Sequence, residues 1–167
     1  MKYAIIVNSK TGNTRMLANQ IQSSLQNHTC VYMGDIVNDE IEADIIFTGF
    51  WTDKGCCHEE MSAYLKTLHH QKLFLFGTCG FGKDTAYYDR IIENVKQLVP
   101  HDNEVIASYM CQGKMPMLVR QRYESMAAEN PDMQAMIENF DQALAHPNEA
   151  DLAALDQAVA GAIADFI

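Results

Sequence analysis

Residues 3–7, 44–50, 73–77 and 105–111 form four short runs that are apolar almost without a break. A strand that faces water on one side alternates apolar with polar residues, so unbroken runs of this length predict strands buried on both faces. A fifth run, residues 29–33, is shorter and more polar, as an edge strand is. Between the runs, apolar residues recur at helical spacing. Leu17, Ala18, Ile21 and Leu25 do so after Gly12, Met61, Leu65 and Leu68 after Cys57, and Ile91, Ile92, Val95 and Leu98 before Pro100. Strand and helix therefore alternate. That order predicts parallel strands with right-handed crossovers and helices on both faces, a three-layer α/β sandwich.

The last third of the chain breaks the alternation. Residues 115–146 predict two helices, the second with Asn130 as N-cap and Pro131 at its first position. A final helix is expected to begin near Asn148, with Leu152, Leu155, Val159, Ile163 and Phe166 as one apolar stripe. The final helix completes the sandwich, and the pair before it reads as an insertion in a single domain spanning residues 1–167.

With 48% hydrophobic and 20% charged residues, the 167-residue chain has the balance of one globular core. The formal net charge is −10, which disfavours nucleic acid and anionic membrane surfaces as partners. That charge is uneven: residues 101–167 hold 11 acids and 3 bases, a net −8, and residues 1–100 contribute −2. The apolar start turns polar at Asn8, too early for a signal-peptide core, and no run approaches the roughly 18 apolar residues of a membrane span, so a cytoplasmic protein is expected. Five cysteines without a CxxC pair suggest reduced, packed thiols and neither a disulfide framework nor a zinc finger.

The strongest chemical signal is Ser9-Lys10-Thr11-Gly12-Asn13-Thr14, between the first strand and the first helix. Open α/β sheets bind ligands at the carboxyl ends of their strands, and a helix N-terminus offers free N–H groups to an anion. Ser9, Thr11 and Thr14 add hydroxyls, Asn13 adds an amide, and Gly12 allows close backbone approach. Neither the Walker pattern nor GxGxxG is present in this turn, so a nucleoside triphosphate is not implied. Two later strand ends, Gly49-Phe50-Trp51-Thr52-Asp53-Lys54-Gly55 and Gly77-Thr78-Cys79-Gly80-Phe81-Gly82, combine large apolar rings with glycines. Such loops suit a flat aromatic ligand, whose polar edge backbone groups can reach. Phe50 and Trp51 have core packing as the competing role. Tyr87 and Tyr88 are further candidates, but they read as core or helix-surface residues ahead of site residues.

The first of these loops, with the two strand ends behind it, resembles the flavodoxin family, whose phosphate loop reads Ser/Thr-x-Thr-Gly-Asn-Thr after strand one. The likeness spans roughly residues 1–112 and the last helix. It implies a five-stranded parallel sheet in the order 2-1-3-4-5, one non-covalent FMN, and single-electron transfer between a reductase and an acceptor enzyme. It further implies that Ser9, Lys10, Thr11, Gly12, Asn13 and Thr14 hold the phosphate. Phe50, Trp51, Thr52, Asp53, Gly55, Thr78, Cys79, Gly80, Phe81 and Gly82 would then surround the ring. The stretch Cys111-Gln112-Gly113-Lys114-Met115-Pro116, with Arg120, Arg122 and Tyr123, is similar to a subgroup of anaerobe flavodoxin-like proteins, some of which accompany bilirubin reductase. Long-chain flavodoxins interrupt strand five, whereas the extra helices here follow it.

No residue set points to an independent catalytic centre, and Cys56-Cys57-His58 and His69-His70 lack the spacing of a metal site. Cys79 reads as a packed thiol ahead of a redox one. The methionines of the inserted helices read as core filler first and as a partner surface second. A small NAD(P)H-dependent FMN quinone reductase is the alternative function, and a flavin-free interaction domain the third.

Overall fold

The computed structural model describes residues 1–82 and 84–166. Its strands are β1 (Lys2–Val7), β2 (Thr29–Gly34), β3 (Ile45–Asp53), the two-residue β4 (Cys56–Cys57), β5 (Lys72–Cys79) and β6 (Glu104–Gln112). The helices are α1 (Asn13–Ser24), α2 (Glu59–Leu65), α3 (Thr85–Lys96), α4 (Met117–Ala127), α5 (Met133–Ala143) and α6 (Glu149–Ile163). The five long strands lie in the order β2-β1-β3-β5-β6, all parallel, and β4 only folds back antiparallel on the end of β3. This is the expected order, with β5 and β6 as its fourth and fifth strands.

Burial on both faces explains the unbroken apolar runs. Tyr3, Ile5, Val7, Phe47, Phe74 and Phe76 join Leu17 and Ile21 of α1 and Leu155 and Val159 of α6 in one core. The alternate residues Ile6, Ile46, Leu73 and Leu75 join Met61 of α2 and Ile91 and Val95 of α3 in the other. Each strand thus supplies two cores by its period of two.

Local chemistry sets the helix ends. Asn148 accepts from the Asp151 N–H at 3.0 Å while Asp151 accepts from the Asn148 N–H at 2.8 Å, a reciprocal capping box at the expected start of α6. The start of α5 differs from expectation. Asn130 Oδ1 accepts from the Asp132 N–H at 3.0 Å, so Asn130 and Pro131 form a turn and the helix begins two residues later, at Met133. Leu68 likewise lies beyond α2, which ends at Leu65.

The helices α4 and α5 stand between β6 and α6, where the insertion is expected. Phe140 and Ala143 of α5 are fully buried, but α4 has no buried residue and leaves Met117, Leu118 and Met126 exposed. Among the described residues, no helix is long and apolar enough to cross a membrane.

Candidate functional site

The carboxyl ends of β1, β3, β5 and β6 open into a cavity of about 330 Å³. Parallel strands that diverge at a point of reversed order leave such a crevice. Its walls are Lys10, Thr11 and Asn13 after β1, Trp51, Thr52, Lys54 and Gly55 at the end of β3, and Thr78, Cys79, Gly80 and Phe81 at the end of β5. Gly113, Lys114, Met115 and Pro116 after β6 complete it, with Tyr87 of α3 and Val119 of α4.

In the loop after β1, Gly12 has φ 93° and a β-carbon there would meet nothing within 4 Å. Glycine is required for the left-handed turn and not for space. Ser9 and Thr14 do not line the cavity. The Ser9 hydroxyl accepts from the Gly12 N–H at 3.2 Å and the Arg15 N–H at 3.3 Å, bracing the turn from behind. Thr14 is 1% exposed, and its hydroxyl lies 3.3 Å from the Phe50 carbonyl and 3.0 Å from Thr78 Oγ1. Asn13 instead donates to the Lys114 carbonyl at 2.8 Å, joining this loop to the segment after β6.

At the end of β3, Trp51 stacks on His58 with centroids 4.9 Å apart and planes at 24°, and Lys10 Nζ sits 4.9 Å from the indole centroid. Phe50, expected at the site, is 1% exposed and belongs to the α2–α3 core. Asp53 and Gly82 also stay outside the cavity wall. A β-carbon on Gly82 would lie 2.4 Å from the Gln112 side chain, so that glycine accommodates a neighbouring side chain. The turn after Asp53 is left-handed at Lys54 (φ 51°) and Gly55 (φ 77°), and Asn94 of α3 donates to the Gly55 carbonyl at 2.9 Å.

At the end of β5, Cys79 is 5% exposed and its thiol donates to the Phe81 carbonyl at 3.0 Å. Burial pushes this thiol up to about 12, with the hydrogen bond opposing, so it is a protonated wall group at neutral pH. Phe81 meets Tyr87 edge-on at 6.3 Å and 85°, and burial raises the Tyr87 hydroxyl as well. Among the described residues, three lysines and no carboxylate line the cavity of this acidic chain. The contribution of residues 113–116 escaped site assignment in the sequence. Its available signal was a glycine, a lysine and a proline closely following a buried strand.

A family model of the flavodoxin domain matches residues 4–160. The chain belongs to the flavodoxin family. It is 40% identical over 174 aligned positions to the flavodoxin-like domain-containing protein BilS of Clostridium symbiosum (strain WAL-14163), covering 92% of each chain. A BilS of Clostridioides difficile (strain CD3) is 31% identical over 159 positions, with 91% of this chain and 90% of the relative covered. Among solved structures, flavodoxin 2 of Bacillus cereus superposes over 100% of both chains with TM-score 0.57 and 17% identity. A flavoprotein of Lactobacillus acidophilus NCFM in complex with FMN covers 65% of this chain and 92% of its own, with TM-score 0.51 and 14% identity. These structural likenesses establish the flavodoxin fold.

Proposed function

We propose that this flavodoxin binds one FMN non-covalently and carries single electrons between a reductase and an acceptor enzyme. The observation that carries this reading is one cavity at the switch point of the sheet, bordered by the α1 N-terminus at one end and by Trp51, Phe81 and Tyr87 elsewhere. The residues present fit the group. Asn13 Oδ1 and Thr52 Oγ1, both on wall residues, are buried without a hydrogen-bond partner, a cost that a polar ligand edge in the cavity relieves. Lys10, Thr11 and the first N–H groups of α1 suit a phosphate dianion. Trp51, Phe81 and Tyr87 offer apolar surface to a flat ring.

FMN, when bound, supplies the redox chemistry of its ring; the chain supplies orientation, a dry wall and charge. Lys54 and Lys114 place positive charge at that wall, favouring an electron-rich occupant. The neutral Cys79 thiol adds neither charge nor a nucleophile at physiological pH. Electron exchange with partner proteins needs the cavity mouth to be reachable, and the exposed Met117 and Leu118 adjoin its wall residues Pro116 and Val119.

The spectrum of the purified protein tests this reading. Absorbance of bound FMN, or a shifted spectrum when FMN is added, is expected, and a colourless protein that leaves added FMN unperturbed overturns it. The three wall lysines favour one second reading, an NAD(P)H-dependent quinone reductase, because they offer charge to a dinucleotide pyrophosphate. Steady NADH oxidation with a quinone and no added reductase would select it.

A further inference from the structure

Three successive carbonyls where β5 ends, those of Cys79, Gly80 and Phe81, are engaged within the protein. That of Cys79 accepts from the Gly113 N–H at 2.9 Å, and that of Phe81 accepts from the Cys79 thiol at 3.0 Å. The Gly80 carbonyl accepts twice, from Gln112 Nε2 and from Asn139 Nδ2, both at 3.0 Å. Gln112 and Asn139 are 3% and 4% exposed and also meet each other at 3.3 Å. Asn139 comes from α5, in the inserted pair, and reaches across 59 residues of sequence to a loop that lines the cavity.

A buried amide placed on a carbonyl fixes the peptide that follows, because C=O and N–H of a trans peptide point in opposite directions. With these three acceptors occupied, residues 79–81 have N–H groups left for an occupant. We propose that Asn139 is a positioning residue of the flavin site, holding the Gly80 carbonyl away from the ring so that residues 79–81 turn N–H donors, and not carbonyls, towards it. The insertion is then part of the cofactor site and not a separate appendage. Donors favour the form of the ring that carries more negative charge, so the lock raises the affinity for flavin and the midpoint potential together. This inference rests on the FMN reading above.

The test measures binding of FMN and of riboflavin, and the midpoint potential, in the parent protein, Asn139→Leu and Asn139→Asp. Asn139→Leu is expected to weaken both ligands by the same factor, about tenfold, since the loop meets the ring and not the phosphate. It is also expected to lower the potential. A buried aspartic acid donates to the Gly80 carbonyl while protonated and repels it once ionised, and its titration lies above the ordinary value of about 3.9. The affinity of Asn139→Asp relative to the parent is therefore expected to fall as pH rises, a signature that a packing role does not produce. The aspartate variant keeps the proposal testable where the leucine variant fails to fold. A pH-independent affinity ratio, or a folded Asn139→Leu with parental affinity and potential, overturns the proposal while leaving FMN binding by the parent intact. A parent protein that binds no flavin overturns both readings.

Discussion

The ring of Phe50 fills the space that a β-carbon on Gly77 would occupy, at 2.6 Å, and these two residues are direct neighbours across β3 and β5. The same exchange recurs in the preceding pair, where Phe76 lies 2.3 Å from the corresponding position on Gly49. Sequence reasoning assigns both glycines to ligand approach, but each makes room for a phenylalanine of the hydrophobic cores. Gly77→Ala is therefore expected to destabilise the protein by about 1–3 kcal/mol through overpacking. Adding Phe50→Leu should recover part of the loss. Denaturant unfolding of the single and double variants checks this, and purely additive losses would mean the two positions are not coupled.

Thr11, in the loop after β1, and Thr14, in the first turn of α1, stand three residues apart and are expected to fail differently. Thr11 lines the cavity, whereas the Thr14 hydroxyl is buried against the Phe50 carbonyl and Thr78. A hydrogen bond to a charged group is worth about 1.5–3 kcal/mol, so Thr11→Ala should weaken FMN binding at least tenfold and leave riboflavin binding nearly unchanged. Thr14→Ala should lower unfolding stability by about 1–3 kcal/mol, having left a buried acceptor unpaired. Calorimetric titration with the two flavins, beside thermal unfolding, separates the effects. Equal losses of FMN and riboflavin in Thr11→Ala would remove Thr11 from the phosphate site.

Alkaline conditions should unfold the protein in a defined window. Burial pushes the thiols of Cys57 and Cys79 up from 9.0 to about 12. A pKa raised in the folded state contributes stability that is complete below the unfolded value and is lost as pH rises towards the folded one. Stability should accordingly decline between about pH 9 and 12, by at most about 1.4 kcal/mol per pH unit for each thiol. Chemical denaturation at pH 8 and pH 10.5 measures the decline, and Cys79→Ala should make it shallower. The parental slope in that variant would mean the Cys79 thiol ionises as freely when folded as when unfolded.

The acidity of the inserted helices makes an electrostatic prediction about partners. Arg120 bonds Asp141 at 2.8 Å and also pairs with Glu124. Glu129, Asp132 and Glu138 are the other acids of the inserted segment, and all three are exposed. If this face docks a basic reductase or acceptor, electron-transfer rates should fall steeply as ionic strength passes roughly 0.1 M, where screening reaches about 10 Å. Glu129→Gln, Asp132→Asn and Glu138→Gln together should flatten that dependence without changing FMN affinity. An unaltered salt dependence would move the docking surface elsewhere, towards Asp53, Glu59, Glu60 and Asp84.

Short-range regularities determined much of this protein. The unbroken runs at residues 3–7 and 73–77 meant strands covered on both faces, Asn148 announced the start of α6, and the residues after β1 marked the loop that opens α1. Those signals lie within a few residues of one another, where backbone preference and hydrogen-bonding reach decide the outcome. Family resemblance added the strand order, which the structure bears out. Tertiary structure alone decided which way each site side chain turned. Phe50 faces the core because Gly77 lies opposite it in the strand register, and Thr14 turns inward because Thr78, 64 residues later, stands beside it. Lys114 joins the cavity through a bond to Asn13, 101 residues earlier, and Asn139 reaches Gly80 from a helix with no visible tie to the sheet in the sequence. Pairings over such distances are set by the packing of strands and helices already formed, and no local pattern records them.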